Sequence, residues 1–357
     1  MTARRFIIAG LLASFLACGT ASAAVIGVVA PRSGPYASLG AQVFQGARAA
    51  AETAHDTIVE IDENCEESGG AAVAKNLMDA KAVVAIGFLC VETLSTALPQ
   101  LKAAQIPAVS ISVRSRILME DALRNGWPFY RMAPVDGDEA EKLSEAILSA
   151  WKAEPIALVE DGTIYGRELA SAIRQHLEPA GITPVFTDTF RPGQEQQVAL
   201  VRRLAKAGAT HVFVGGDRND MAIIARDAAS ESIPLTLIGG DAMRAANRPV
   251  PLRDGVLAVA LPDYAALPSA SAAVAALRAK NIDPDGYMLQ AHAAAELAHQ
   301  AILASGRRPV AEAIGSGSFN TTIGPIAFDE HHELRENPFR LLEWRGSAFS
   351  LSHPATE

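Results

Sequence analysis

The chain has 357 residues, 49% of them hydrophobic and 20% charged, and a formal net charge of -9. That length and mix suit a packed protein of two ordinary domains and exclude a disordered chain. The acidic balance, with no Lys/Arg run past the start, argues against nucleic-acid and anionic-lipid partners, which require a basic face.

Residues 1–23 read as a secretory signal. Arg4 and Arg5 precede an apolar stretch from Phe6 to Ala17, and Ala21-Ser22-Ala23 gives the small-x-small pattern for cleavage. The alternative is an uncleaved anchor, since apolar residues resume at Val25. Gly19, Thr20 and Ser22 interrupt the run near the length a span needs. A lipid anchor on Cys18 would follow Phe15-Leu16-Ala17, a poor lipobox. Cleavage removes Cys18 and leaves Cys65 and Cys90. An even pair in an exported chain reads as a disulfide, with two free buried thiols as the alternative.

The mature chain opens with a strand, Val25 to Ala30, and a Pro/Gly loop, Pro31 to Pro35. A helical pattern runs from about Leu39 to Ala54, a strand from Thr57 to Asp62 and a helix from Gly70 to Ala80. A strand from Val83 to Gly87, a helix from Thr93 to Ala104 and a strand from Ile106 to Ile111 follow. Apolar strands alternating with helices of this length imply βαβ units and a parallel sheet. The rhythm restarts after Trp151. Strands fall at Pro155 to Val159, Pro184 to Phe190, His211 to Val214 and Leu235 to Ile238. Helices fall at Tyr165 to Leu177, Gln194 to Ala207 and Asn219 to Ser230. Farther on, an Ala-rich helix spans Gln290 to Ala304 and precedes a turn and short strand from Gly324. Phe339 to Trp344 and Ala348 to Leu351 pattern as an antiparallel pair around Arg345-Gly346. The expected fold class is α/β, with two doubly wound lobes and a cleft at the carboxyl ends of both sheets.

Catalytic signatures are absent: no Gly-x-Ser-x-Gly, His-Glu-x-x-His, Gly-x-Gly-x-x-Gly or phosphate-binding Gly-Lys-Ser/Thr occurs. No enzyme activity and no cofactor are expected. His331-His332 beside Asp329 and Glu330 reads as a solvated turn, and His292 with His299 as one helix face, so no metal is expected. Strand ends are more informative. Asp217 and Asp241 each follow a probable strand and a Gly pair, Arg114 follows the strand ending at Ile111, and Tyr165 the strand ending at Val159. Singly, each reads as a helix cap or surface charge. Together they describe a polar pocket with one cation and two anions.

Several short motifs occur in a telling order. They are Ser33-Gly34-Pro35 with Gly40 and Phe44-x-Gly46, then Ile86-Gly87-Phe88-Leu89-Cys90, then Tyr165-Gly166-x-x-Leu169-Ala170, and Gly324-Pro325-x-x-Phe328-Asp329. In these the whole mature chain resembles the periplasmic leucine/isoleucine/valine-binding protein family, the type I receptors of ABC importers. The resemblance implies two Rossmann-like lobes joined by a three-crossing hinge. Lobe 1 would take 24–136 and 263–334, and lobe 2 would take 137–262 and 335–357. It also implies a monomer that delivers a small polar ligand to the membrane permease subunits of an importer.

The resemblance also places ligand contacts. The hydroxyl residue after the second cysteine falls on Val91, and a second carboxylate-binding hydroxyl falls on Arg114. An aromatic first-loop contact falls on Leu39 and a lobe-2 tyrosine on Asp217. The ammonium-holding acid falls on Asp241, and the Tyr-Gly tyrosine is kept as Tyr165. Arg114 can replace the lost hydroxyls through two charge-assisted bonds to a carboxylate, or it can pair internally with Asp217 or Asp241. The expected ligand is an amino acid or related polar molecule, with an amide, urea or aromatic acid as alternatives. A ligand sensor feeding a membrane signalling partner is the other reading.

Overall fold

A computed structural model describes residues 24–352. The expected signal segment and Cys18 lie outside the described residues. The chain begins with β1 (Val25–Ala30), α1 (Ala37–Ala54), β2 (Thr57–Asp62), α2 (Gly70–Asp79), β3 (Ala82–Gly87) and α3 (Val91–Ala103). It continues through β4 (Ala108–Ser110), α4 (Arg116–Asn125) and β5 (Phe129–Arg131). These strands form one parallel sheet in the order β2-β1-β3-β4-β5. The unbroken apolar run of β1 suits its place between two neighbours, with both faces covered. The fourth strand is shorter than the apolar run 106–111 because Pro107 has no N–H for the ladder; only its carbonyl is used, by the Ala85 N–H.

The second unit contains α5 (Asp138–Ala150), β6 (Ile156–Glu160), α6 (Ile164–Leu177), β7 (Phe186–Thr189) and α7 (Val198–Lys206). Then come β8 (His211–Gly215), α8 (Arg218–Ser230), β9 (Thr236–Gly239) and β10 (Leu257–Ala260). Helix α7 starts four residues later than its pattern predicts. Carboxylates on α8 hold the preceding segment open: Asp220 accepts from the Gly193 N–H at 2.9 Å and Asp227 from the Gln197 N–H at 2.5 Å. The chain then forms α9 (Ser271–Ala279), α10 (Met288–Ser305), α11 (Val310–Ser316), β11 (Ser318–Thr321) and β12 (Gly324–Ala327), and ends with β13 (Arg340–Arg345) and β14 (Ala348–Leu351).

The tail divides between the two lobes. The Ala-rich α10 lies on α1, and its buried alanines share a core with Ile26, Val28, Val84 and Ile86 of the first sheet. The axes approach closely at Gly46, where a Cβ would stand 1.9 Å from the Met288 carbonyl oxygen. Strands β13 and β14 join the other sheet, whose order is β14-β13-β10-β9-β8-β6-β7, with β13 antiparallel to β10 and to β14. The chain therefore crosses between sheets three times: after β5, after β10 and after β12. Each of these two large sheets is covered on both faces, giving two α/β lobes, while β11 and β12 pair with each other in a separate two-stranded sheet. Among the described residues no helix is long and apolar enough to cross a membrane.

Two covalent or ionic ties fix the first lobe. Cys65 and Cys90 are joined in a disulfide, 25 residues apart in sequence. Arg131, at the end of β5, has no solvent exposure. Its Nε donates to Glu333 Oε2 at 2.7 Å and its second terminal nitrogen to Glu333 Oε1. Its remaining nitrogen donates to the carbonyl of Ser115 at 3.0 Å and approaches that of Val113 at 3.5 Å. His332 stacks on Tyr130 and bonds the Phe129 carbonyl, so the same strand is tied to the third crossing twice.

Two outcomes follow. Denatured but unreduced protein prepared without residues 1–23 should show no titratable thiol, and reduction should lower stability by about 3 kcal/mol for a loop of this length. Two thiols in the unreduced sample would contradict the pairing. Arg131→Ala should cost about 3–5 kcal/mol in denaturant unfolding, because Glu333 keeps a charge with no counter-ion.

Candidate ligand-binding site

The carboxyl ends of both sheets carry the loops that form the site. In the first lobe, Ser110 at the end of β4 shapes the key turn. Its buried hydroxyl donates to the Phe88 carbonyl at 3.0 Å and accepts from the N–H groups of Ser112 (3.3 Å) and Val113 (3.0 Å). Ser115 then caps α4 by accepting from the Leu118 N–H at 3.2 Å. Arg114 sits between these anchors, with Arg131 beneath the carbonyls on either side of it. Its guanidinium is exposed and, among the described residues, makes no ion pair or hydrogen bond. Neither Asp217 nor Asp241 pairs with it.

Arg114 lines a cavity of about 430 Å³ together with Val91, Leu39, Leu89, Ser112 and Tyr287. The Ser112 and Tyr287 hydroxyls lie 3.1 Å apart. Val91 is half-buried and is the first residue of α3, whose N-cap Cys90 supplies no side-chain cap. The first N–H groups of that helix are thus unclaimed by a cap, and partial positive charge gathers there. Glu92, in the same first turn, also lines the cavity. Leu39 and Val91 offer apolar surface where the resemblance placed an aromatic ring and a hydroxyl, and the hydroxyls come from Ser112 and Tyr287 instead.

Beneath this wall lies Glu63, 1% exposed. Its Oε1 accepts from the Leu89 N–H at 2.6 Å, and its Oε2 has no partner. Burial pushes the carboxyl up to about 8, against the pull of the Leu89 and Cys90 N–H groups and with a further push from Asp62 and Glu92.

The second lobe brings three segments together. Thr163 caps α6 by accepting from the Gly166 N–H, which sets Tyr165 in the helix's first turn. The Tyr165 hydroxyl donates to Glu139 Oε1 at 2.6 Å, and the Asp241 N–H donates to the same oxygen at 2.7 Å. Gly240 must be small: a Cβ there would stand 2.1 Å from that Glu139 oxygen and 2.4 Å from the Tyr165 hydroxyl. Burial raises the Glu139 carboxyl and nearby Asp241 adds to the rise, while the Tyr165 hydroxyl, the Asp241 N–H and the Arg114 guanidinium oppose it. The Tyr165 hydroxyl is raised by burial and by Glu139.

Asp241 uses Oδ1 to accept from the Leu261 N–H at 3.0 Å, which ties the end of β9 to the second crossing. It lines a separate cavity of about 290 Å³ with Arg244, Tyr264, Asp285 and Gln290. Asp217 stands apart. It is exposed and caps α8, accepting from the Asp220 N–H at 2.8 Å. Among the described residues it shares no hydrogen bond with Arg114, Tyr165 or Asp241.

Glu139, Ser112, Tyr287 and Glu63 escaped the sequence reading. Glu139 follows a three-residue strand too short to pattern, and Tyr287 comes from a segment 175 residues away from its partner Ser112. No spacing rule links such positions. Among the described residues no group of three His, Cys, Asp or Glu is placed to hold a metal ion. His292 is buried against Thr322 and Glu296, and His299 bonds Asp56.

The chain as a whole matches known proteins. The sequence profile of the family described as "Periplasmic binding protein" matches residues 24–348. The Leu/Ile/Val-binding protein homolog 3 of Brucella melitensis is 27% identical over 352 residues, covering 91% of this chain and 94% of its own. An ABC transporter substrate-binding protein of Desulfitobacterium hafniense, solved in complex with Leu, superposes with a TM-score of 0.63 at 20% identity, over 92% of this chain and 99% of its own. A solute-binding protein of an ABC transporter from R. palustris, solved with benzoate, superposes with a TM-score of 0.58 at 19% identity, over 92% and 95%.

One pH dependence follows from Glu63. A carboxyl raised in the folded state favours folding fully below its unfolded value near 4.5 and loses that advantage as pH rises through about 8. Thermal denaturation of the wild type should therefore show falling stability between those values. Glu63→Gln, which cannot ionise, should flatten this part of the profile. A variant profile parallel to the wild type would assign the slope elsewhere.

Proposed function

Because this chain belongs to the periplasmic binding protein family, we propose that its cleft captures a small carboxylate solute, foremost an amino acid, for an ABC importer. The protein binds and hands over its solute; it does not transform it. The reading takes 24–136 with 263–334 as one lobe and 137–262 with 335–357 as the other, a division supported by the two large sheets and by the core that α10, α11, β11 and β12 share with the first of them. It places the mature chain in the periplasm, after loss of 1–23, as a monomer that docks on membrane permease subunits and has no nucleic-acid partner.

Arg114 carries the ligand assignment. A guanidinium that makes no ion pair among the described residues, presented over a cavity with the Ser112 and Tyr287 hydroxyls and an uncapped helix start, matches the planar fork of a carboxylate. The branched aliphatic and aromatic classes are both compatible with the other walls. Leu39, Leu89 and Val91 favour an aliphatic side chain. Tyr36 and Tyr287, also in the wall, favour the second reading, an aromatic acid. The names of relatives run both ways, with leucine in one solved complex and benzoate in another.

Calorimetric titration tests the clamp. With the tightest ligand from a thermal-shift screen, Arg114→Ala should lose roughly 2 to 5 kcal/mol of affinity, as expected for one side of a desolvated charge pair. Arg114→Lys should also bind weakly, since an ammonium cannot make the bidentate contact. Wild-type affinity in Arg114→Ala would leave Arg114 as a rim charge and end the carboxylate-clamp reading.

A further inference from the structure

We infer that Glu63 makes the capture of a carboxylate proton-linked: its carboxyl group, sealed behind the Leu89–Cys90 wall of the Arg114 cavity, has to be neutral for an anion to settle against that wall. This rests on the carboxylate-solute reading above and adds a positioning residue that regulates the same site.

Glu63 follows β2 and is 1% exposed. Its own N–H donates to the Ala30 carbonyl at 3.3 Å, which fixes its backbone against the end of β1. Its Oε1 accepts from the Leu89 N–H at 2.6 Å, so the side chain reaches across to the turn between β3 and α3. Leu89, Cys90 and Val91 of that turn line the cavity. So does Cys65, two residues past Glu63 and disulfide-bonded to Cys90. The carboxyl is thus held behind the wall on which the ligand's anion would rest. Among the described residues its Oε2 meets no hydrogen-bond partner. A carboxylate with one bare oxygen in a covered site is costly, and taking up a proton relieves most of that cost.

The charges around Glu63 act in the same direction. Asp62, at the end of β2, and Glu92, in the first turn of α3, face it with like charge. Arg32, after β1, gives Asp62 only its N–H and sends its guanidinium to Glu60. The Leu89 and Cys90 N–H groups are what favour the ionised form. On the cavity side stand the Arg114 guanidinium and the Tyr36 and Tyr287 hydroxyls. An ionised Glu63 opposes an incoming carboxylate twice. It repels the anion, and it draws on the positive start of α3 that otherwise favours the anion. A neutral Glu63 does neither. Binding of an anion therefore raises the Glu63 carboxyl further and takes up a proton. Affinity is greatest below about 8 and falls as pH rises through that value. A neutral amide escapes the penalty.

The Glu63→Gln variant isolates the charge, since its amide keeps a carbonyl oxygen for the Leu89 N–H. Wild-type melting of the variant at pH 6 checks the fold. Both proteins are titrated at pH 6 and pH 9 with the twenty standard amino acids, benzoate, 4-hydroxybenzoate, acetamide and urea. For the carboxylate that binds, the wild type should lose roughly tenfold in affinity between the two pH values, as expected for like charges in neighbouring positions. Glu63→Gln should lose less than half as much on a logarithmic scale, and deprotonation of an amino acid's own ammonium affects both proteins alike. Should the variant melt early, the wild type alone decides. Calorimetry at pH 8 in two buffers of different ionisation heat should show uptake of up to about half a proton on binding. No uptake, a flat wild-type profile, or a fall that Glu63→Gln reproduces in full would overturn the linkage and leave the receptor reading intact. Binding of acetamide or urea alone, or of none of these solutes, would overturn the carboxylate reading and this inference with it.

Discussion

A buried guanidinium has to be neutralised where it stands, and in this protein three distant stretches of chain converge to do it. Arg131 ends β5 and opens the first crossing. Glu333, which neutralises it, precedes the third. The carbonyls it bonds belong to the loop that presents Arg114. Removing a charge from water is expensive unless geometry and hydrogen bonds are both well made. The first lobe satisfies that condition only with the hinge strands and the Arg114 loop in one arrangement. The first and third crossings and the loop that carries Arg114 thus share a common support. Arg116, two residues past Arg114, adds a strap to the same region by donating to the Asp136 carbonyl in the first crossing at 3.2 Å.

The second lobe solves a similar problem in the opposite sign. Glu139 is an acid at the start of α5, just past the first crossing, and its fixed oxygen organises Tyr165 from α6 and the backbone of Asp241 from the end of β9. Asp241 in turn reaches the second crossing through the Leu261 N–H. One lobe therefore offers a cation braced by the first and third crossings. The other offers anions braced by the first and second.

The fold was readable because parallel α/β units leave a strong pattern. The run Val25 to Ala30, the Gly-terminated run to Gly87 and the two Gly pairs after β8 and β9 appear where buried strands end in tight turns. Short elements were not readable: β5 spans three residues, and β11 alternates over only four. The site divides along the same line. Arg114, Tyr165 and Asp241 lie at strand ends and could be named from position; Val91 was named only from the family resemblance. Glu139 could not, because its importance comes from two donors located 26 and 102 residues away. Asp217 shows the converse limit. Its position matches Asp241 after a Gly pair, yet its side chain is spent on capping α8.

A solute carrying both charges would favour closure of such a cleft, because attraction depends on distance. Two opposite unit charges 10 Å apart attract by about 1.7 kcal/mol at an effective dielectric constant of 20, and at 4 Å by about 4 kcal/mol. Among the described residues Arg114 makes no ion pair with Glu139 or Asp241, so their attraction is the weaker, longer kind, further screened by salt. A ligand with one charge serves one lobe and leaves the other's group unpaired, so it binds without rewarding closure. A ligand with both charges converts one long attraction into two short ones, but only when the lobes are near enough to touch it together. Its differential affinity for the closed form is what shifts the population. A solute held at Arg114 would also meet Leu39, Leu89 and Val91, which line the same cavity.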